Sequence, residues 1–350
     1  MTRYLDVSDL KRMMIRIGPE RMMADMAQFI HEDFLRWDCY QKSLRTANHS
    51  PDGVIELMPV SDDTLFAFKY VNGHPKNPLQ RLSTVMAFGV LANVSTGYPV
   101  LLSELTIATA LRTEATSVVA AKALARPGSQ SMAMIGNGAQ SEFQVLAFMN
   151  QLGIDEIRAY DVDDAASAKM VTNLQPYIDA GRISVSIAAT VQQAVDGADI
   201  ITTITADRTN ATILHGDMIE PGMHLNAVGG DCSGKTELAP SILQKSLVVV
   251  EHETQTRVEG ELQQMAADFP VTALWKILTG AEPGRTQAEQ ITLFDSVGFA
   301  LEDLSALRYL NLVAAQNGIG RRIEIVPNMH NPKDLWGCAM DVSAKLLLAA

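Results

Sequence analysis

The chain has 350 residues, more than one hydrophobic core usually serves, so its length predicts two domains. Its composition, 47% hydrophobic and 19% charged, is typical of a globular protein and excludes a disordered chain. The formal net charge of −12 argues against general binding to nucleic acid or to an anionic membrane, although a few local donors are enough to hold an anionic cofactor.

Neither the N-terminus nor the longest uncharged run predicts a targeting or membrane segment. The first residues, MTRYLDVSDLKRMM, carry charges throughout, so we expect no signal peptide. The uncharged run 82–103 is long enough to span a bilayer, but Asn93, Gly97 and Pro99 interrupt it. It therefore predicts two buried strands joined by a turn.

Cysteine and histidine usage predicts reduced thiols and no metal site. Cys39, Cys232 and Cys338 are odd in number and show no CxxC spacing, which favours a cytoplasmic protein. The seven histidines show no HExxH or similar pairing, so we expect no bound metal.

The first part of the chain combines helical spacing with strands. Met, Ile and Phe recur three to four residues apart over 10–34, which predicts helix. Residues 54–59 and 64–71 are predicted to be strands. In the second of these strands Lys69 shares a face with apolar side chains, which is an unusual place for a solvated lysine.

From residue 126 the pattern alternates between strand and helix. The predicted strands are 131–136, 156–161, 183–187, 199–205, 224–228, 246–251 and 291–295. The predicted helices are 141–152, 165–180, 191–195 and a last one that runs through Ala315. Such alternation predicts a parallel sheet with helices on both faces.

The fold class we predict is α/β with two domains. Residues 116–320 are predicted to form a Rossmann-type dinucleotide-binding domain. Residues 321–327 are predicted to be a strand that returns to the first domain. That domain, residues 1–115 with 321–350, would then be a discontinuous α+β domain.

The strongest local signal is MAMIGNGAQSEFQ, in which Gly136 and Gly138 follow a strand and open a helix. A pyrophosphate at a helix N-terminus needs close approach of backbone N–H groups, which a Cβ would obstruct. Ser141 stands where the third glycine of the GxGxxG pattern is expected. A lone GxG is weak evidence, and its alternative interpretation is a flexible turn.

Asp161 strengthens the interpretation as a dinucleotide site. It ends the next predicted strand, about twenty-five residues on, where an acid can accept hydrogen bonds from the adenosine ribose. With Asp163 and Asp164 beside it, it would repel a 2′-phosphate, so NAD is favoured over NADP. The alternative is a solvated helix cap.

Chemistry on a Rossmann sheet takes place beyond the carboxyl ends of its strands. Three such strand ends carry polar residues that are candidates for catalysis. They are Thr202 with Thr203, the segment HLNAVGGDCSGKTEL, and FDSVG at 294–298. In the second, Asp231 follows Gly229 and Gly230, a side-chain-free turn that would let its carboxylate reach a substrate. The alternative is an ordinary loop acid.

Together these motifs resemble a known family. GNGAQ, LRTEATS at 111–117, GMHLNAVGGD and SVG are similar to the ornithine cyclodeaminase/mu-crystallin family, and the resemblance spans nearly the whole chain. It implies a homodimer formed through the N-terminal domain and an active site between the two domains. It also implies NAD(H) chemistry at the Cα–N bond of an amino acid or cyclic imine.

The resemblance assigns roles to residues one by one. Arg45, Lys69 and Arg112 match positions that hold the substrate carboxylate, which is what basic side chains would do there; the alternative for Arg45 and Lys69 is a surface ion pair. Asp231 matches the acid/base, and Gly298 a backbone contact to substrate. The positions that match cofactor contacts are Thr84, Arg112, Gly136, Gly138, Ala139, Gln140, Asp161, Thr202, Asn226, Val228, Lys235 and Val297.

Glu56 lies in the apolar segment VIELM and is a candidate for binding the second amine of the substrate or for proton handling. The alternative is a strand residue that faces solvent.

The reaction that the resemblance implies is conversion of L-ornithine to L-proline and ammonia, with NAD recycled within each turnover. One alternative is an alanine-type amino-acid dehydrogenase or a ketimine reductase that consumes NAD(P)H. Another is a crystallin-like binding protein without turnover, although Asp231, Lys69 and Arg112 together argue against it. Ornithine, lysine and related diamino acids all stay open as substrates, because the size of the ring formed depends on pocket length.

Overall fold

The computed structural model describes residues 1–206, 211–230 and 232–340, and every structural statement below concerns those residues. The strands are β1 (Thr2–Leu5), β2 (Gln41–Lys42), β3 (Thr46–Ser50), β4 (Gly53–Ser61), β5 (Leu65–Gly73), β6 (Val85–Asn93), β7 (Pro99–Glu104), β8 (Ser131–Ile135), β9 (Glu156–Tyr160), β10 (Ser184–Ile187), β11 (Ile200–Thr203), β12 (His224–Ala227), β13 (Ser246–Val250), β14 (Thr272–Ala273), β15 (Ile291–Asp295) and β16 (Arg321–Ile323). The helices are α1 (Val7–Ile17), α2 (Pro19–Leu35), α3 (Thr106–Leu124), α4 (Ser141–Leu152), α5 (Asp164–Asp179), α6 (Val191–Val195), α7 (Pro240–Lys245), α8 (Glu253–Glu259), α9 (Leu274–Leu278), α10 (Ala300–Asn317) and α11 (Leu335–Ala339).

The first sheet has the order β16-β1-β7-β6-β5-β4-β2, with β3 paired to β4. Its central strands are antiparallel, and their side chains alternate between a buried face and a more open face. Helices α10 and α3 pack on the buried face. The predicted pair of strands in 82–103 is confirmed as β6 and β7, and the helical spacing of 10–34 corresponds to two helices that Gly18 separates.

The second sheet is parallel throughout and has the order β10-β9-β8-β11-β12-β15-β13-β14. The strand order reverses between β8 and β11, which is where a doubly wound sheet opens a crevice for a ligand. This topology confirms the predicted Rossmann-type fold. It matches the predicted strands to within two residues at each end.

Helix α3 joins the two sheets, and sequence reasoning did not predict it as a helix. It contacts β6 of the first sheet and both β12 and β15 of the second. At the other end of the chain β16 pairs antiparallel with β1, which returns the chain to the first sheet. The predicted boundary between residues 115 and 116 lies inside α3, so the division into domains stays a prediction.

Within the described ranges, no helix is long and apolar enough to cross a membrane. Nor do three or more His, Cys, Asp or Glu side chains come together there as a metal site.

Candidate active site

The two glycines of the loop after β8 have different surroundings. Gly136 has a φ of +96°, and a Cβ there would lie 2.8 Å from the carbonyl oxygen of Ile204, so the fold itself needs glycine at this position. At Gly138 no described atom lies within 4 Å of the place that a Cβ would take. The loop therefore leaves open space beside Gly138, directly before α4.

Asp161 lies beside the same loop. The backbone N–H of Asn137 donates to Asp161 Oδ2 at 2.6 Å, and the N–H of Asp163 donates to Oδ1 at 2.9 Å. Asp161 directly follows β9 and is half-buried. Its carboxylate is thus fixed at the carboxyl end of the sheet, next to the glycines.

Gln140 occupies the N-cap position of α4, but its side chain makes no capping hydrogen bond to the helix. Its Oε1 is buried and has no hydrogen-bond partner among the described residues. Ala139, between Gln140 and Gly138, is exposed. Lys169, which sequence reasoning missed, donates to the carbonyl oxygen of Gly138 at 2.8 Å.

The ends of β11 and β12 bring further predicted residues to this edge. Thr202 and Asn226 are paired in register and fully buried, and Asn226 Nδ2 donates to Thr202 Oγ1 at 3.3 Å. Asn226 Oδ1 has no partner among the described residues. The N–H of Val228 donates to the carbonyl oxygen of Thr203. Lys235 is buried, and its Nζ donates to the carbonyl oxygen of Thr205 at 2.8 Å.

These residues fit a dinucleotide. A helix N-terminus that follows an open glycine offers N–H groups to a pyrophosphate, and the fixed Asp161 carboxylate can accept hydrogen bonds from a ribose. The unpartnered amide oxygens of Gln140 and Asn226 are further acceptors at the same edge. Thr84 lies elsewhere, half-buried immediately before β6 in the first sheet.

Lys69 and Arg112 form a buried pair of cations. Lys69 lies on the covered face of β5 and is 1% exposed, and Arg112 on α3 is 6% exposed. Lys69 Nζ and Arg112 Nε both donate to Oδ1 of Asp303, at 2.8 and 3.2 Å, and Arg112 Nη1 donates to Glu302 at 2.8 Å. Burial, with the charge of Arg112, lowers the pKa of Lys69 to about 8. The surface ion pair considered for Lys69 is therefore wrong.

Arg45 connects the first sheet to the end of β15. Its Nη1 donates to Glu56 at 3.1 Å, and its Nη2 donates to the carbonyls of Val297 and Gly298 at 2.9 and 2.7 Å. Its Nε lies 3.1 Å from Glu259 Oε2. Glu56 and the side chain of Arg45 are each only 7% exposed. The alternatives of a solvent-facing strand residue for Glu56 and of a surface ion pair for Arg45 are therefore wrong.

Gly298 joins the cations to the edge of the Rossmann sheet. It follows β15 with a φ of +73°, and a Cβ there would lie 2.8 Å from Nη2 of Arg112. Its N–H and that of Val297 each donate to Glu251 at 3.0 Å, which fixes this turn. Arg45 and Arg112 therefore meet the sheet at one turn.

Sequence reasoning missed the carboxylates that hold these cations. Glu302 and Asp303 lie in the first turn of α10, and both are buried. Burial, with the charge of Glu251, raises the pKa of Glu302 well above its usual range. The available signal was an acidic pair among apolar residues in the first turn of the helix that follows SVG.

The prediction on Asp231 falls outside the described residues. Its neighbours Gly229 and Gly230 are buried, and glycine is needed there for close packing. A Cβ at Gly229 would collide with the carboxylate of Glu237, and one at Gly230 would lie 3.1 Å from the backbone oxygen of Glu259. The tight packing, and not only the absence of side chains, explains the double glycine.

The geometry agrees with what comparison with known proteins finds. The family model for the ornithine cyclodeaminase/mu-crystallin family matches residues 8–316. The chain belongs to this family. A curated relative, "Ornithine cyclodeaminase" of Brucella abortus biovar 1 (strain 9-941), is 53% identical over 95% of this chain and 92% of its own length.

Solved structures resemble this family member over almost their whole length. A lysine cyclodeaminase, described as recognising L-lysine, L-ornithine and L-2,4-diaminobutyric acid, superposes with a TM-score of 0.88 at 28% identity, covering 96% of this chain and 98% of its own. An archaeal alanine dehydrogenase dimer with bound NAD gives 0.84 at 29% identity, covering 93% and 99%.

Proposed function

We propose that this protein converts L-ornithine to L-proline and ammonia, with NAD as a recycled cofactor. The observation that carries the proposal is the turn at Gly298, where Arg45 and Arg112 meet the carboxyl edge of the Rossmann sheet. An amino acid held by these cations would lie where a nicotinamide ring is expected. The identity of 53% to a relative named ornithine cyclodeaminase supports this choice of substrate.

The charge around the cations supports a substrate with two amines. Three cations, Arg45, Lys69 and Arg112, lie among six carboxylates, and four stay charged if Glu114 and Glu302, whose pKa values burial raises well above the usual range, are neutral. These carboxylates are Glu56, Glu114, Glu251, Glu259, Glu302 and Asp303. Buried charges need partners of opposite sign, so such a site favours a diamino acid over alanine, which brings only one ammonium group.

The residues of the chain bind the substrate and move its protons. Arg45, Lys69 and Arg112 hold the α-carboxylate, and Glu56, which Arg45 holds by a hydrogen bond, is placed to contact an amine. Asp231 is proposed to accept a proton from the substrate amine and to return one to the departing ammonia. When bound, NAD supplies a hydride acceptor at Cα that returns the hydride later in the same turnover.

A substrate panel separates this function from its rivals. The protein would be incubated with trace NAD+ and L-ornithine, L-lysine or L-alanine, and proline, pipecolate, ammonia and NADH would be measured. We expect proline in large excess over NAD+ from ornithine. NADH formed in equal amount to the keto acid from alanine would establish a dehydrogenase, and NAD binding without any turnover would establish a binding protein.

We also propose that the protein is a homodimer that buries the open face of the first sheet. Leu57, Tyr70 and Phe88 stand in register across β4, β5 and β6 on this face, and Tyr70 stacks on Phe88 with ring centroids 4.9 Å apart. Leu57 is 45% and Phe88 38% exposed, and Ile55 and Met86 lie exposed nearby. A second copy is the occupant that such an exposed apolar face favours.

The remaining parts of the proposal concern domains and location. We propose that residues 1–115 with 321–350 form the substrate-binding and dimerisation domain, and residues 116–320 the cofactor domain. We propose a cytoplasmic location because three cysteines, an odd number without CxxC spacing, favour reduced thiols.

A further inference from the structure

Asp303 holds together two of the cations that the proposed function assigns to the substrate carboxylate. Its Oδ1 accepts hydrogen bonds from both Lys69 Nζ and Arg112 Nε, at 2.8 and 3.2 Å. Its Oδ2 is buried and has no hydrogen-bond partner among the described residues. The three side chains come from β5, α3 and α10, so only the folded protein brings them together.

Without Asp303 this arrangement would be unfavourable. Lys69 and Arg112 are like charges that share one acceptor atom, and little water reaches them to screen their repulsion. Burial and then Arg112 lower the pKa of Lys69, Asp303 opposes them, and Arg45 lowers it further. The charged groups that face Lys69 are therefore Arg112 from α3, Asp303 from α10 and Arg45 from the segment before β3.

We propose that Asp303 is a positioning residue, which keeps the Lys69 ammonium group charged and aimed beside Arg112 so that the pair binds the carboxylate of the substrate. Asp303 acts through the two cations, because its Oδ1 is already occupied by both of them. The identity of the substrate rests on the proposed function. The role of Asp303 toward Lys69 does not.

The test is Asp303→Asn, which keeps the shape of the side chain and removes its charge. The pKa of Lys69 would be measured by NMR on protein labelled with [13Cε]lysine and saturated with NAD+, with the resonance assigned from Lys69→Arg. We expect Lys69 to titrate about one to three pH units lower in the variant. An unchanged titration in folded, NAD-binding Asp303→Asn would overturn the proposal.

Kinetics provide a second measurement. Only charged Lys69 attracts a carboxylate, so in the parent protein the KM for L-ornithine should rise as the pH passes the pKa of Lys69, near 8. In Asp303→Asn the rise should occur at lower pH, and at neutral pH KM should increase about ten- to a hundred-fold with a smaller change in kcat. A fall in kcat with KM and its pH profile unchanged would contradict the proposal.

Two further variants complete the experiment. Glu302→Gln removes a carboxylate that binds Arg112 but does not contact Lys69, so the pKa of Lys69 should not change. If Asp303→Asn does not fold, Asp303→Glu decides, since it keeps the charge and displaces it: a raised KM with a Lys69 pKa still near 8 supports positioning, and a normal KM contradicts it. If the pKa of Lys69 shifts in Asp303→Asn but the parent protein does not act on ornithine, only the proposed substrate is contradicted, and the role of Asp303 stands.

Discussion

The backbone N–H of Asn137 donates to Oδ2 of Asp161 at 2.6 Å, which ties the glycine loop after β8 to the acid that ends β9. Each carboxylate oxygen has two lone pairs, so Asp161 can hold the loop and still accept a hydrogen bond from a ribose hydroxyl. The same negative charge opposes a phosphate at that position. We therefore propose that loop geometry and cofactor choice both depend on this side chain.

Asp161→Ser should narrow the preference for NAD+ over NADP+. Serine keeps a hydrogen-bonding oxygen but removes the charge that repels a 2′-phosphate. The Kd of each cofactor would be measured by calorimetry. Asp179→Ser is the control, since it removes an equal charge from an exposed position at the other end of α5. Equal affinities of the unmodified protein for the two cofactors would remove the role assigned to Asp161.

The two loop glycines should respond differently to alanine. Gly136→Ala forces a side chain into a positive φ and to within 2.8 Å of a backbone oxygen, so the protein should lose stability, by about 1 kcal/mol or more. Gly138→Ala meets no described atom within 4 Å, so its Tm should stay near that of the parent while NAD+ affinity falls. Calorimetric Tm and Kd for both variants check this. Normal NAD+ affinity in Gly138→Ala would contradict the placement of the pyrophosphate.

Seven strands of the second sheet could be predicted because each is a short, largely apolar run between helices or turns, whereas β14 has only two residues and was not predicted. Lys69 could be recognised as unusual because it interrupts an alternating apolar face, and the structure confirms that it is buried. Helix α3 was missed because it is buried on nearly all sides, so it shows little helical periodicity.

The carboxylates around the cations could not be predicted from local sequence. Asp303 lies 234 positions after Lys69 and 191 after Arg112, and only the packing of α10 against β5 and α3 makes them neighbours. Glu259 and Arg45 are likewise far apart in sequence. A pattern read along the chain shows which side chains are present, whereas their pairing depends on tertiary contacts.

Asp231→Asn should separate cofactor binding from turnover. Asparagine has nearly the size of aspartate but cannot accept the proton, so kcat should fall about a hundred- to ten-thousand-fold while NAD+ affinity stays close to normal. Arg112→Ala should instead raise KM more than it lowers kcat, because it binds the carboxylate in ground and transition states alike. A near-normal kcat for Asp231→Asn would move the acid/base role elsewhere, with Glu56 the next candidate.

A charge on the open face of the first sheet should break the proposed dimer. Phe88→Glu places a carboxylate at one end of the row formed with Leu57 and Tyr70, where a second copy would have to bury it. Light scattering should then give the mass of one chain, 38.0 kDa, in place of twice that value. Ile15→Glu is the control, because Ile15 is 87% exposed on α1, away from this face. A parent protein with the mass of one chain would refute the dimer.

The most direct test of the account uses L-ornithine labelled with deuterium at Cα. If the hydride removed from Cα returns to the same carbon within one turnover, proline formed with trace unlabelled NAD+ should retain deuterium at Cα over many turnovers per cofactor. Mass spectrometry of the proline, together with NADH absorbance, gives the answer. Loss of the label from proline, or deuterated NADH accumulating in step with consumption of ornithine, would contradict the recycling of the cofactor.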